Sequence, residues 1–592
     1  MNINHRIELL RGAMKDNGID AFIVPSSDNH LSEYVGEYFK CRQWISGFTG
    51  SAGTVVVTMD EAHLWVDGRY HIQAERQVKG SSFIVEKMGI PGVKKYTEWI
   101  GDKLQSGDTI GFNGKVMPVD ALKDFKAIAQ KKALKIKLVE DLFEKLWKDR
   151  PQLPKEEVFV HEVKFSGKSA LEKLREVREK MVSEGATHYL IASLVDIAWL
   201  LNLRGNDVPN NPVFLSYLLM DMNSCTLYVD KSKLSRAALE QLDSSAVKIK
   251  AYEEVAQDLA LLGEEAVIIY DSSKTNLWLK EAIKPQVKCI ERRDITTELK
   301  AIKNAVELKN LENCQVKDGV AMVKFVYWLK TNLRKIEITE LSAADKLEQL
   351  RREQEHCLGI SFDTISAYGA NAAMMHYKAT EENCAVLEPR GFYLLDSGGQ
   401  YLDGTTDITR TYALGELTQE EKEDYTLVLK GHIALNKAIF LYGATGSNLD
   451  VIARKPMWDR GLDYKCGTGH GVGFLLSVHE GPQGFSQVPN TVKLTEGMII
   501  TNEPGIYKEG RHGIRTENTM LVVPYMETEF GKFMKFDVIS YCPIDLEPIV
   551  VEMLTEEERQ WLNDYHKLVY NKLSGNLSEE ERNYLAFATR AV

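Results

Sequence analysis

The chain has 592 residues, 44% hydrophobic and 27% charged, with a formal net charge of −12 at pH 7. This is too long for one hydrophobic core, so two to four domains are expected, and the composition is that of an ordinary globular protein. No apolar run approaches the roughly 18–20 residues needed to cross a bilayer, the acidic balance argues against nucleic acid, and a cytoplasmic location is expected.

The first segment predicts a helix over 7–15, ended by Gly18, and a strand over 21–24. A Gly-rich turn over 47–53 leads to strands over 54–58 and 64–67. Strands alternating with helical stretches indicate an α/β domain. The second segment repeats this grammar, with a helix over 171–182 stopped near Gly185, a strand over 188–192, and later strands over 212–217 and 226–230. Two copies of one fold are expected, joined by the Pro-containing stretch 150–154. In the third segment, helices over 307–334, 339–355 and 419–441 alternate with short strands that end in acidic or histidine residues. The expected domains are 1–155, 156–303, and 304–592 with a C-terminal helical extension. The eight cysteines form no C-x-x-C pair, which reads as reduced thiols.

The chemistry lies in the third segment. An apolar strand, Phe392-Tyr393-Leu394-Leu395, delivers Asp396 at its end. A Gly-rich turn is expected to reverse the chain into a strand carrying Asp407, with Thr409 and Thr411 on the same face. A carboxylate after such a run is costly to bury unless it meets a cation or a donor, although either aspartate alone reads first as a turn cap. Glycines bracket His470 over 467–473, and His479-Glu480-Gly481-Pro482 follows. A strand over 498–502 ends at Glu503, and Arg515 and Glu517 are expected on one face of a later strand. Two aspartates, one histidine and two glutamates suit Mn(II), Co(II) or Zn(II) in a two-metal carboxylate site better than a sulfur-bound structural zinc.

Further motifs extend the pattern: Ser46-Gly47-Phe48-Thr49-Gly50-Ser51-Ala52-Gly53-Thr54 and Asp67-Gly68-Arg69-Tyr70, then Leu203-Arg204-Gly205 and Asn211-Pro212-Val213-Phe214. Over essentially its whole length the chain resembles the pita-bread metallopeptidases of the three-domain aminopeptidase P type. The resemblance implies an α/β (α+β) fold of two creatinase-like N-terminal domains followed by a pita-bread catalytic domain. It implies two divalent cations, Mn(II) foremost, held by Asp396, Asp407, His470, Glu503 and Glu517, with Asp407 and Glu517 bridging. His376 and His479 become catalytic histidines that contact substrate, and Arg69 a substrate-binding arginine. Glu503 becomes the general base and acid, and Arg515 the partner of a ligand carboxylate. As residues alone, His376 reads as a surface histidine, His479 as a helix cap, and Arg69 as a fold-stabilising arginine.

The implied reaction is hydrolysis of the N-terminal Xaa-Pro bond of peptides by water activated between the cations, in a homodimer without membrane or nucleic-acid partners. An aminopeptidase of other specificity and a non-catalytic peptide-binding protein are the alternatives. Filled ligand positions count against the second. One position departs from the family pattern: Cys466 stands where relatives often carry histidine. A thiol cannot hold a positive charge, so a packing role is expected there.

Overall fold

Short apolar strands alternating with helices build two six-stranded mixed sheets in the first 300 residues. In the first sheet the order is Phe83–Lys87, Ala62–Val66, Thr54–Thr58, Ala21–Pro25, Thr109–Asn113, Lys135–Val139. In the second it is Val247–Lys250, Cys225–Val229, Ser216–Asp221, His188–Ile191, Val267–Tyr270, Lys288–Glu291. The pairings match strand by strand: Ala21–Pro25 and His188–Ile191 each run antiparallel to one neighbour and parallel to the other. The repeat expected from sequence is therefore a repeat of topology.

The computed structural model describes residues 2–592, which form two compact units: the chain up to Val163 with Lys168–Glu298, and Lys164–Gly167 with Leu299–Val592. Both sheets lie in the first unit because they share one core. Ile23, Val56 and Phe112 from one sheet bury with Leu190, Tyr217 and Ile268 from the other. Burial of apolar surface contributes about 25 cal/mol per Å², so neither face could be left to water cheaply.

The second copy departs from expectation in one place. The predicted strand over 212–217 begins only at Ser216. Pro212 offers no N–H, and the residues after it close on the preceding loop: Asp207 N donates to Val213 O at 3.0 Å, and Leu215 N to Asp207 Oδ2 at 2.6 Å.

In the second unit the helix Ala305–Asn332 starts at a capping box made by Asn304 and Glu307. Its buried side packs through Phe325 and Leu329 against Tyr393 and Leu395 of the strand Phe392–Ser397. That strand is central in a sheet flanked by Ile365–Tyr368 and Ile408–Ala413. A second sheet runs Phe440–Leu441, Gly531–Val538, Asn518–Thr528, Ile499–Asn502. The helices Gln419–Asn436 and Glu556–Leu573 share a core through Val428, Ile433, Leu562 and Val569.

Three expectations are corrected here. The helix predicted over 419–441 stops at Asn436, because Phe440–Leu441 joins the sheet as an edge strand against Met534 and Phe533. The chain does not simply reverse between Asp396 and Asp407. It forms two short strands, Gly399–Tyr401 and Gly404–Thr405, and Asp407 precedes the strand Ile408–Ala413 rather than lying in it. Arg515 and Glu517 do not share one strand: His512–Arg515 ends at the arginine, and the next strand starts at Asn518. The backbone breaks there to pair elsewhere, with Glu517 N donating to Thr409 O at 3.0 Å.

Candidate metal centre

Four structural elements converge on one buried acidic site. The strand Phe392–Ser397 brings Asp396 opposite Thr409 in register. The end of Ile499–Asn502 delivers Glu503, and the link before Asn518 delivers Glu517. His470 lies in a two-residue strand, Gly469–His470, paired with Gly484–Phe485. Its backbone passes very close to its neighbours. A Cβ on Gly469 would fall 1.9 Å from Thr501 O, and one on Gly471 would fall 2.1 Å from Glu480 O. Only glycine permits that approach.

A single buried guanidinium ties two of the carboxylates, Asp396 directly and Glu517 through a threonine. Arg515 Nη2 donates to Asp396 Oδ2 at 2.6 Å and Nη1 to Tyr507 Oη at 2.7 Å. Nε donates to Thr409 Oγ1 at 3.2 Å, and that hydroxyl donates to Glu517 Oε2 at 2.8 Å. One oxygen of each of these carboxylates is thus fixed. The other, Asp396 Oδ1 and Glu517 Oε1, is buried without a hydrogen-bond partner. Two orphaned anionic oxygens in one pocket are costly unless a cation faces them.

His470 Nδ1 lies 2.9 Å from Gly471 O. A carbonyl only accepts, so this bond places a proton on Nδ1 and aims Nε2 inward. Nε2 lies 3.4 Å from Asp407 Oδ2 and 3.3 Å from Glu503 Oε1. One ligand-type atom each from Asp407, His470 and Glu517 lie within 4.8 Å of one another. Thr501 ties the set together: its Oγ1 accepts from His470 N at 3.0 Å and donates to Glu503 Oε1 at 3.1 Å.

The electrostatics point the same way. Burial pushes the Asp396 carboxyl up to about 6, helped by Asp407 and Glu503 and opposed by Arg515. Burial likewise holds Glu517 well above the usual carboxylate range, with Asp407 adding to it. Burial works against charge on His470, but hydrogen bonds to Asp407 and Glu503 raise its pKa well above the ordinary value. Arg515 and His470 together bring less positive charge than four carboxylates call for, and the oxygen-rich donor set fits divalent cations.

The two histidines expected to contact substrate belong to loops tied to this centre. The His479 ring meets His470 edge-on, with centroids 4.2 Å apart. Its neighbour Glu480 is buried against Lys303 and donates its N–H to Gly471 O at 2.7 Å. The loop of His376 is held from two sides. Arg515 Nη2 lies 3.4 Å from Met375 O. Buried Glu340 accepts from Tyr368 N at 2.6 Å, Asn371 Nδ2 at 3.0 Å, Tyr377 Oη at 2.8 Å and Ala385 N at 2.8 Å. Arg69 belongs to the other unit, where its guanidinium forks onto Asp67 through two bonds of 2.8 Å. Cys466 packs beside the apolar cluster that includes Tyr464 and Tyr507, and its carbonyl accepts from Arg454 Nη2 at 2.8 Å. Sequence reasoning did not find Thr501, Glu340, Lys303 or Tyr507.

Comparison with known proteins gives the same picture. Residues 309–524 match the model of metallopeptidase family M24, and 532–592 that of the C-terminal region of peptidase M24. Residues 6–146 and 149–307 each match the creatinase/prolidase N-terminal domain. The chain is 41% identical over 594 residues to "Probable Xaa-Pro aminopeptidase P" of Botryotinia fuckeliana, covering 97% of this chain and 90% of the relative. It is 39% identical to the protein of that name from Paracoccidioides brasiliensis, with 100% of both chains covered. The crystal structure of X-prolyl aminopeptidase from Caenorhabditis elegans, described as a cytosolic enzyme with a di-nuclear active site, superposes with a TM-score of 0.97 at 34% identity, covering 100% of both chains.

Fold and site thus define a metallopeptidase with creatinase-type N-terminal domains and a pita-bread catalytic domain. The chain belongs to the Xaa-Pro aminopeptidase P family within metallopeptidase family M24.

Proposed function

We propose that the protein removes the N-terminal residue from peptides that carry proline in second position, using two divalent cations held by Asp396, Asp407, His470, Glu503 and Glu517. The observation that carries this reading is the pair of buried, unpartnered oxygens, Asp396 Oδ1 and Glu517 Oε1, in a pocket already holding Asp407, Glu503 and His470. Bound cations supply Lewis acidity, polarising the scissile carbonyl and making water nucleophilic near neutral pH. Mn(II) is the cation we assign first, with Co(II) and Zn(II) as substitutes. Asp407 and Glu517 would be the carboxylates shared by the two cations.

The chain's own groups do the rest. Glu503 takes the proton of the attacking water and passes it to the proline nitrogen as that nitrogen leaves. His479 donates a hydrogen bond to the carbonyl oxygen as charge develops there. His376 hydrogen-bonds the substrate beside the scissile bond, and Arg69 binds it from the first domain. Arg515 keeps Asp396 oriented next to the substrate's free amino group. An Xaa-Pro bond has no N–H, so a site that does not read that group suits it. In this reading the domains are 1–155, 156–303 and 304–592, and the enzyme works in the cytoplasm as a homodimer. The cytosolic description of the worm enzyme and the eight free cysteines support that location.

A peptide series tests the specificity. X-Pro-X is cleaved after its first residue, while N-acetyl-X-Pro-X and X-Ala-X resist. Equal cleavage of X-Pro-X and X-Ala-X makes the protein a general aminopeptidase instead.

A further inference from the structure

The strands Ile499–Asn502 and Asn518–Thr528 end in register at the cross-strand pair Asn502 and Asn518. One residue beyond this pair on each side stand Glu503 and Glu517. The same two segments pair again at Gly505 and Arg515, so the glutamates sit in a gap between two ladders, and whatever holds the two asparagines together braces one end of that gap. At that end a side chain adds to the backbone pairing.

That side chain is His432, fully buried in the helix Gln419–Asn436. Its Nδ1 lies 3.1 Å from Asn502 O, and its Nε2 lies 3.1 Å from Asn518 Nδ2. A carbonyl only accepts, so the proton sits on Nδ1 and Nε2 is left to accept from the asparagine amide. Asn518 is oriented for this because its Oδ1 accepts from Arg410 Nη2 at 2.8 Å and from Tyr565 Oη at 3.2 Å. The clamp closes from the backbone as well: Asn502 Nδ2 donates to His432 O at 2.9 Å. Burial, with Arg410 nearby, pushes the imidazole down to about 3 and keeps it in this neutral form. Arg410 also donates to Glu517 O.

We infer that His432 is a positioning residue: through Asn502 and Asn518 it fixes the spacing of Glu503 and Glu517, and so sets the affinity for the cation pair. This rests on the proposed ligand set. It assigns His432 no contact with substrate or reacting atoms. Partners one step behind metal ligands typically control metal affinity by ten- to a hundredfold.

The test is Mn(II) titration of the full-length, chelator-stripped protein by calorimetry. His432→Met keeps bulk but removes donor and acceptor, and weakens Mn(II) binding at least tenfold. His432→Gln, whose amide offers an NH2 donor and an oxygen acceptor, binds within about threefold of wild type. Glu517→Gln serves as the control for the ligand set. If His432→Met binds like wild type while Glu517→Gln does not, the inference is overturned and the ligand assignment stands. If Glu517→Gln also binds like wild type, the ligand assignment itself fails. A glutamine variant no better than the methionine variant also overturns the inference. Should His432→Met not fold, Asn518→Ser decides: a tenfold loss supports the clamp, and wild-type affinity overturns it.

Discussion

Arg515 and Asp396 are joined by a 2.6 Å bond in which both side chains are nearly buried. The same guanidinium reaches Tyr507 and Thr409, so its planar fork holds three groups at fixed angles. A lysine supplies one point charge and cannot reproduce that geometry. Arg515→Lys is expected to lower metal affinity and kcat by roughly ten- to a hundredfold, and Arg515→Met to do more, because it also leaves Asp396 uncompensated. Turnover of the lysine variant within twofold of wild type contradicts the role.

Cys466 stands four residues before His470, and Arg454 holds its carbonyl. Its thiol fills space beside Tyr464 and Tyr507. Cys466→Ser is expected to keep kcat within about an order of magnitude, or ~1.4 kcal/mol in barrier height. The pH profile keeps its shape, since a group that moves no proton leaves no limb in it. A several-hundredfold loss, or loss of a metal ion, assigns the thiol to the chemistry.

Stability should depend on pH through a histidine away from the metals. His566 is fully buried and accepts from Ile544 N at 3.1 Å. Burial, then Arg410 and Arg590, pushes it down to about 3, whereas an unfolded chain titrates near 6.5. Between these values the unfolded state binds the extra proton, so stability is full above about pH 6.5 and falls as the pH drops. Chemical unfolding of chelator-treated protein at pH 7.5 and 5.5 reads this out. Wild type should lose about 1.4 kcal/mol relative to His566→Gln over that interval, and parallel losses in the two proteins rule it out.

The parts legible in the sequence were those with local signatures. Glycines around His470, apolar runs ending in Asp396 and Glu503, and the repeated strand grammar all write their geometry into consecutive residues. The misses have long-range causes. Phe440 and Leu441 continue a helical pattern, and only pairing with Met534 and Phe533 turns them into a strand. The break at Thr516 and Glu517 exists because Thr409 captures the Glu517 N–H from another strand. Glu340 reads as an acidic first-turn residue, yet the loop of His376 folds over its carboxylate. His432, within Leu429-Lys430-Gly431-His432-Ile433, reads as an ordinary helix residue until the two asparagines meet it.

If five side chains hold two catalytic cations, metal stoichiometry shows it most directly. Chelator-stripped protein should bind two Mn(II) per chain, hydrolyse X-Pro-X only after they are restored, and lose at least one ion together with nearly all turnover in Glu503→Gln. Full hydrolysis by protein containing less than a tenth of an equivalent of metal, or two ions and wild-type turnover in Glu503→Gln, would contradict it.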